Sequence, residues 1–334
     1  MYDLNQIERL LIGVEEQLRK TEAFVGLIRE IKYSLEELRH SQEQNYLYEM
    51  KKMRIELENI KSELYKNGLA KTSQYEQELN EVRGLLNDPE WPVAVDEQYI
   101  CKNKEMVERR SEVILDLFVC EHIKDKKVLD YGCGENFVAT KAYEREASFA
   151  LGYDINPQAN KHNNKFFTSK FEDVQAGGPY DIVLVHDVLD HIVAIDPIQA
   201  LLQIKSVLSP KGRIYLKTHP WSSRHGGHIY QQKNKAFIHL IFDEIELTRV
   251  CGLTAEHTLK IIQPIETYRQ WFKEANLNII SEIPTIDKVE KFFLTPSTVN
   301  SRLLRHWSNP VEMKNQMEIS SVEYVLESME LQQE

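Results

Sequence analysis

Long apolar runs are missing from this chain of 334 residues, and so is a basic segment at its start, which is Met-Tyr-Asp-Leu-Asn. The sequence therefore predicts neither a signal peptide nor a membrane span. Cysteine is scarce, and the four cysteines, at 101, 120, 133 and 251, lack metal-type or CxxC spacing. A reduced cytoplasmic protein is the simplest interpretation. Positive charge is also in deficit: the net charge of −11 disfavours a broad surface for nucleic acid or membrane.

The N-terminal part of the chain has a heptad pattern of apolar residues. Over residues 1–67 the steps between them alternate mostly between three and four, beginning with Leu4, Ile7, Leu11 and Val14. This 3.5-residue repeat predicts an α-helical coiled coil within a helical region 1–88. A single helix cannot bury this narrow stripe of apolar residues by itself, so we expect a homo-oligomer. An intrachain helical hairpin is the alternative.

The rest of the chain shows a different order of elements. Residues 89–120 are predicted to form a linker and a leading helix, and from residue 128 apolar strands alternate with amphipathic helices. Such alternation predicts a parallel sheet with helices on both faces. Residues 296–334 form a C-terminal extension without assigned structure. The strand candidates are 127–130, 149–153, 165–168, 181–185, 212–217, 277–282 and 289–294, and the last two are expected to pair as a hairpin at the sheet edge.

A glycine-rich turn carries the clearest chemical signal. The first strand runs into Asp130, Gly132 and Gly134, and the second strand ends in Asp154, 154 − 130 = 24 residues later. Glycines let the backbone approach a ligand closely, and an acidic residue about 20 positions on suits a ribose diol. The third glycine of the dinucleotide fingerprint is missing, as is a phosphate-binding Lys-Ser/Thr pair, so pyrophosphate is disfavoured. A glycine-rich turn in a ligand-free α/β domain is the alternative.

These residues resemble the class I (Rossmann-like) S-adenosylmethionine-dependent methyltransferases, over roughly residues 121–295. The resemblance implies an α/β fold with a seven-stranded Rossmann-like sheet, and S-adenosylmethionine as cofactor. It implies that Asp154 accepts hydrogen bonds from both ribose hydroxyls and that Ile155 lies against the adenine. It places Asp130, Gly132, Cys133 and Gly134 along the methionine part, Phe171, Glu172 and Asp173 beside the adenine, and Asp187 and Val188 under the sulfonium end.

A possible metal site follows the fourth strand. On a helix predicted there, Asp187, Asp190 and His191 share one face through their i, i+3, i+4 spacing. Two carboxylates and an imidazole can hold Mg²⁺ or Mn²⁺. His228, which follows the fifth strand, is the predicted fourth ligand, with His225 as the alternative. The motif shows a local resemblance to metal-dependent O-methyltransferases, in which glutamates stand where this chain has aspartates. A histidine that only caps or packs is the structural alternative.

The expected chemistry is methyl transfer to a hydroxyl group. The hydroxyl must lose its proton as it attacks the sulfonium methyl, with a cation lowering its pKa or with His191, His219 or His228 as general base. Aromatic and polar residues in the segment 229–262 suit a carbohydrate, so we expect a sugar or glycan hydroxyl as acceptor. A dimer contact explains the same residues nearly as well. An RNA ribose 2′-O-methyltransferase, and a structural or assembly protein that keeps the fold for binding only, are the alternative functions.

Overall fold

The computed structural model of the chain describes residues 59, 73–96, 103–119, 123–192, 195–252, 262–289 and 297–329. The chain divides into two compact units, Met1–Gln77 and Glu78–Glu334. The predicted coiled coil over 1–67 lies outside the described residues, apart from Asn59. The second unit contains the sheet and every predicted site residue.

A seven-stranded sheet forms the centre of this unit, in the order β3-β2-β1-β4-β5-β7-β6. Strands β1 to β5 pair in parallel, and β7 is antiparallel to both β5 and β6. The strand order reverses between β1 and β4, and ligands of such sheets bind at the carboxyl ends of the strands there. The predicted α/β class with a seven-stranded sheet is confirmed. The strands are β1 (Lys127–Tyr131), β2 (Phe149–Tyr153), β3 (Phe167–Thr168), β4 (Tyr180–His186), β5 (Leu208–Thr218), β6 (Leu277–Ile286) and β7 (Ile319–Ser328).

Helices cover both faces of the sheet because successive residues of the central strands point to opposite sides. On one face Val128 of β1 and Leu184 of β4 are buried in an apolar cluster, and on the other face Leu129 and Val183 are buried in a second. Within the described parts of the chain, no helix has the length and apolar composition that a membrane crossing requires. The helices are α1 (Ser73–Leu85), α2 (Lys104–Val119), α3 (Val138–Glu144), α4 (Phe171–Gly177), α5 (Pro197–Ser206), α6 (Ile238–Ile241), α7 (Glu244–Cys251), α8 (Ile265–Glu274), α9 (Ser297–Leu304) and α10 (Pro310–Met317).

Among the described residues, β6 pairs with a strand other than the one predicted for the hairpin at the sheet edge. Strand β7 lies at Ile319–Ser328, inside the segment 296–334, and it inserts between β5 and β6. Its Val322, Tyr324 and Leu326 are at most 1% exposed, so the period-2 apolar pattern of this segment is buried in the core. A hairpin joins strands that are close in sequence, whereas helices α9 and α10 lie between β6 and β7 in the chain. The predicted strand 289–294 falls mostly in residues 290–296, which are outside the described part.

The predicted helix after β4 is wrong. Residues 187–192 form turns, and Asp187 has a φ of 54°, in the left-handed region that interrupts an α-helix. Helix α5 begins later, at Pro197, where the Asp196 side chain accepts hydrogen bonds from the backbone N–H groups of Ile198 and Gln199. The chain therefore leaves β4 in a turn that points its side chains in several directions.

Hydrogen bonds fix the linker before α2 to the segment that follows β5. The Trp91 indole Nε1 donates to the Ala236 carbonyl at 2.9 Å. The Asn234 Oδ1 accepts from the backbone nitrogens of Ala94 and Val95, both at 3.0 Å, and its Nδ2 donates to the Val95 carbonyl at 2.8 Å. The linker and the segment thus hold each other in place.

We expect Asn234→Ala to lower the free energy of unfolding by roughly 2 kcal/mol, because it removes three hydrogen bonds in a partly buried place. Urea denaturation followed by circular dichroism measures the change. Asn278→Ala is the matched control: its amide donates one exposed hydrogen bond, to Glu327, so we expect a loss of no more than ~0.5 kcal/mol. Equal losses in the two variants would contradict the structural role of the Asn234 contacts.

Candidate active site

The turn after β1 is packed on one side and open on the other. The backbone nitrogens of Gly132 and Cys133 donate to the Tyr153 carbonyl at 2.7 and 2.9 Å, which ties the end of β1 to the end of β2. Gly132 has φ +73°, and a Cβ on it would lie 2.5 Å from a Val188 methyl carbon, so only glycine fits. Gly134 has φ +53°, and a Cβ there would meet no described atom within 4 Å. The turn therefore offers bare backbone to a ligand at Gly134.

Asp154 is fixed beside this open backbone. Its Oδ2 accepts from the Gly134 nitrogen at 3.0 Å, and its Oδ1 accepts from the Asn156 nitrogen at 2.8 Å. Each carboxylate oxygen can accept a further hydrogen bond, so both remain able to bind a pair of ribose hydroxyls. The neighbouring Ile155 is 56% exposed, which leaves an apolar surface available for a flat ring. Asp154 and Ile155 are therefore accessible for the ribose and adenine contacts that the resemblance implies.

Asp130 and Cys133 are buried beneath the turn. Asp130 is 3% exposed, and its Oδ2 has no hydrogen-bond partner among the described residues. Burial, together with the charge of Asp154, raises the pKa of Asp130 to about 7. A buried carboxylate without a partner is costly, and the ammonium group of a methionine moiety would satisfy it. Burial also raises the pKa of the Cys133 thiol well above its usual value, which disfavours a nucleophilic role for Cys133.

The residues expected beside the adenine follow β3. Phe171 packs edge-on against Tyr153, with ring centroids 5.7 Å apart. Asp173 accepts a hydrogen bond from the Thr168 hydroxyl at 2.6 Å, so one of its oxygens is already engaged. Glu172 is exposed. Of the two acidic residues expected beside the adenine, Glu172 is therefore the freer to accept a hydrogen bond from it.

Two carboxylates in the turn after β4 differ sharply in environment. Asp190 is 0% exposed, and neither of its oxygens has a hydrogen-bond partner among the described residues. Burial and the nearby Asp187 raise the pKa of Asp190 to about 6. Asp187 lies 3.3 Å from His186 Nδ1 and 3.0 Å from His219 Nε2. Burial opposes ionisation of Asp187, but the two histidines outweigh it and hold its pKa well below the usual value.

The predicted metal ligands fall into two groups that share Asp190. One group is Asp190, His191 and His228, and the other is Asp187, Asp190 and His219; within each, the ligand atoms lie within 4.8 Å of one another. The Nε2 of His228 is 3.9 Å from Asp190 Oδ2, longer than a hydrogen bond. Two ligands of one cation, each ~2.1 Å from it, can have this separation. The four residues predicted as one ligand set are thus divided, and His219, predicted as a base, joins the second group.

His219 is held from both sides of its ring. Its Nδ1 lies 2.8 Å from the Ser320 carbonyl, which can only accept, so Nδ1 carries a proton. Its Nε2 faces Asp187 at 3.0 Å. Burial disfavours a charged ring, but Asp187 outweighs it and raises the pKa of His219 above its usual value. His219 is therefore either an imidazolium paired with Asp187 or a ligand whose other nitrogen is fixed by a backbone carbonyl, a common arrangement in metal sites.

His225 and His228, which follow His219 after β5, have lowered pKa values that favour the neutral ring at physiological pH. Burial and the nearby His191 lower the pKa of His228 to about 3, and burial holds the pKa of His225 well below its usual value. The His225 and His228 rings are nearly parallel, with centroids 6.2 Å apart, and Tyr230 packs edge-on against His228 at 5.8 Å. Burial, Asp187 and Asp190 raise the pKa of Tyr230. The Tyr230 phenol is thus protonated and close to the acidic turn.

The segment 229–262, expected to bind the acceptor, contributes unevenly to the site. Phe237 and Phe242 are at most 1% exposed, so they belong to the core and do not line a binding surface. Tyr230 packs edge-on against the rings of His225 and His228. Residues 253–261 are outside the described part.

Comparisons with known proteins identify a family and two relatives. A family model described as "Methyltransferase domain" matches residues 95–282. The chain is 22% identical over 170 residues to the Ubiquinone biosynthesis O-methyltransferase of Neisseria meningitidis, an alignment that covers 47% of this chain and 66% of that protein. It is 32% identical over 106 residues to the Ribosomal protein L11 methyltransferase of Teredinibacter turnerae, covering 29% and 34%. The chain therefore spans less than two thirds of either relative.

Among solved structures, an S-adenosylmethionine-dependent methyltransferase from Mesorhizobium loti superposes with a TM-score of 0.39 and 14% identity. The superposition covers 65% of this chain and 95% of that one.

We expect Asp154→Ala to weaken binding of S-adenosylmethionine at least tenfold. The change removes two hydrogen bonds from ribose hydroxyls to a charged acceptor, each worth ~1.5–3 kcal/mol. Isothermal titration calorimetry measures the affinity, and circular dichroism checks that the variant is folded. An unchanged affinity in a folded Asp154→Ala protein would refute the assignment of this carboxylate to the ribose.

The buried Asp130 should make stability depend on pH. Its folded-state pKa, about 7, lies above the ordinary value of 3.8, so the folded protein resists ionisation of this group. Its contribution to stability is present below pH 4 and is lost as the pH rises from 4 to 7. Asp130→Asn should therefore be more stable than the unchanged protein at pH 8, by roughly 2–4 kcal/mol, and no more stable at pH 4.

Thermal unfolding of both proteins across pH 4–8 measures this difference. The control is Asp96→Asn, which changes an exposed aspartate in the linker and should leave the unfolding curve unchanged at each pH. A constant difference between the Asp130 variant and the unchanged protein would show that the carboxyl ionises in the folded state as it does in water.

Proposed function

The chain belongs to the methyltransferase-domain family, and we propose that it transfers the methyl group of S-adenosylmethionine to a hydroxyl group of a sugar or glycan, assisted by a divalent cation such as Mg²⁺ or Mn²⁺. Family membership bears out the resemblance to the class I enzymes that the glycine turn and Asp154 indicated. The local resemblance to metal-dependent O-methyltransferases stays a prediction.

The single observation that carries the proposal is the state of Asp190. A fully buried carboxylate with two unpartnered oxygens is unstable as an anion unless a proton or a cation joins it. Two sets of potential metal ligands meet at this one side chain. Val188, in the same turn, lies directly against Gly132 of the cofactor turn. A hydroxyl bound at Asp190 would therefore be close to the place expected for the sulfonium methyl.

The residues present fit a cation at this place. Asp190 would hold it together with His191 and His228 or with Asp187 and His219, and when bound it would lower the pKa of the acceptor hydroxyl. His228 suits the role of a metal ligand because its pKa of about 3 leaves the ring neutral at physiological pH. The same low pKa makes His228 a weak general base. Coordination needs neutral imidazoles, so acidification should weaken binding of the cation.

Among the side chains of the protein, Asp190 is the one best placed to accept the proton that the acceptor hydroxyl loses. Its pKa of about 6 is near physiological pH, where a general base is most effective. His219 is a poor candidate because both of its ring nitrogens already face acceptors. Asp187 holds His219 in place, and the turn at Gly134 aligns the cofactor. Alignment of oxygen, methyl carbon and sulfur supplies much of the remaining acceleration.

Tyr230 supports a sugar or glycan acceptor, because an aromatic ring with a polar group suits a carbohydrate. Its ring packs against His228, and its phenol is protonated. The Neisseria relative is an O-methyltransferase by its name, which supports oxygen as the receiving atom. An RNA ribose hydroxyl presents the same chemistry, but the net charge of −11 disfavours binding of a polyanion. We therefore favour the carbohydrate.

We expect Asp190→Asn to reduce turnover at least a hundredfold while the affinity for S-adenosylhomocysteine stays within twofold. Asparagine keeps the shape of the side chain, but it supplies neither an anionic ligand nor a base. The assay follows transfer from labelled S-adenosylmethionine to glycan, RNA and protein extracts, and calorimetry follows cofactor binding. Asp96→Asn, at an exposed position in the linker, is the control and should keep full activity.

The cation is tested in the same assay with EDTA, followed by addition of Mg²⁺ or Mn²⁺. Loss of activity with EDTA and its recovery with either ion would support the cation. Turnover that resists EDTA but is absent in Asp190→Asn would leave this side chain as the base without metal. Full turnover in Asp190→Asn would contradict both roles.

A further inference from the structure

Four histidine rings around the acidic turn after β4 form two close pairs. The His191 and His228 rings have centroids 4.2 Å apart, and the His219 and His225 rings have centroids 4.1 Å apart. Between the pairs the ring centroids are farther apart, 6.5 Å from His219 to His228 and 6.2 Å from His225 to His228. The imidazoles are therefore arranged about two centres, and not about one.

A single cation cannot reach both groups of candidate ligands. Each group has its ligand atoms within 4.8 Å of one another, and in the part of the chain that the structure describes no larger set that joins the groups meets this distance. Two ligands of one cation are at most ~4.2 Å apart when each is ~2.1 Å from the cation. A cation bound to Asp190, His191 and His228 would therefore leave Asp187, His219 or both of them unbound.

Asp190 has two buried oxygens that require partners. The side chain is 0% exposed, and neither oxygen has a hydrogen-bond partner among the described residues. The His228 Nε2 lies 3.9 Å from Asp190 Oδ2, a separation that two ligands of one cation can have. If a cation bound only this oxygen, Oδ1 would stay buried without a partner, which is costly. A carboxylate that bridges two cations satisfies both oxygens.

The second group has the spacing of ligands around an ion. Asp187 Oδ1 and His219 Nε2 are 3.0 Å apart, yet Asp187 Oδ1 has no partner with the angles of a hydrogen bond among the described residues. Neighbouring ligands of an octahedral ion, each ~2.1 Å from it, are also ~3.0 Å apart. The Ser320 carbonyl fixes the His219 ring through Nδ1, which leaves Nε2 for an ion. The buried Nδ1 of His225, unpartnered within the described part of the chain, is a further nitrogen next to this ring.

We propose that the acidic turn binds two divalent cations side by side, with Asp190 as the carboxylate that bridges them. His191 and His228 complete the protein ligands of one cation, and Asp187 and His219 complete those of the other. A bridged pair of cations is ~3.5–4 Å apart. This inference rests on the cation of the proposed function and adds a second one next to it. With both oxygens bound, Asp190 holds the two ions and is not free to accept a proton.

The test counts the Mn²⁺ ions bound per chain and asks whether they are close together. The full chain is freed of metal with EDTA, which is then removed, and calorimetry with Mn²⁺ gives the number bound. Electron paramagnetic resonance gives a second readout, because two Mn²⁺ ions that share a carboxylate are magnetically coupled and lose the spectrum of an isolated ion. The variants are His228→Ala and His219→Ala, one for each group. His162→Ala is the matched control, because His162 is a half-buried histidine in the loop after β2.

We expect two coupled Mn²⁺ ions per chain in the unchanged protein and in His162→Ala. His228→Ala and His219→Ala should each bind one Mn²⁺ with the spectrum of an isolated ion, because each variant loses a ligand of one group only. Circular dichroism checks that the variants are folded.

The unchanged protein decides the proposal even if a variant does not fold. One Mn²⁺ per chain would overturn the proposal and leave the single cation of the proposed function intact. Two uncoupled ions would also overturn it, since such ions do not share Asp190. If no Mn²⁺ bound, the cation of the proposed function would fail together with this inference.

Discussion

Gly132 has no side chain, and this lets the turn after β1 lie directly against Val188 in the turn after β4. Any Cβ at this position would separate the two turns, and its positive φ adds to the strain of a substitution. One turn presents bare backbone at Gly134, and the other carries Asp187 and Asp190. Because the strand order reverses between β1 and β4, both turns rise at the same edge of the sheet. The proposed transfer of a methyl group from one turn to the other depends on this contact.

A buried carboxylate with an unpartnered oxygen among the described residues lies on each side of this contact. Asp130 lies under the cofactor turn, and Asp190 lies in the acidic turn, each with at least one unpartnered oxygen among the described residues. A protein selected only for stability would replace or pair such groups. Their retention is typical of sites where stability is given up for a cationic ligand. The ammonium of the cofactor suits the first, and a divalent cation suits the second.

Segments outside the parallel strands hold the site together. Ser111 of helix α2 accepts a hydrogen bond from the Phe137 backbone nitrogen, just after the cofactor turn. The linker around Trp91 is hydrogen-bonded to Asn234 and Ala236 in the segment after β5. Strand β7 contributes the Ser320 carbonyl that fixes the His219 ring. These contacts join residues 26 to 145 positions apart in the chain. The geometry of the site thus depends on packing from both ends of the domain.

The amino-acid sequence by itself determined the elements whose signal is local. The apolar run before the glycines, the acidic residue 24 positions on and the alternation of strands with helices predicted the sheet and the turn, because periodicity and glycine chemistry act within a few residues. Tertiary structure decided the rest. It placed β7 between β5 and β6, since burial of Val322, Tyr324 and Leu326 outweighs closeness in sequence. It also turned the expected helix at 187–191 into a turn and divided the expected ligand set around Asp190. Spacing along a chain cannot show which atoms face each other after the turn, because that depends on side chains supplied by distant strands.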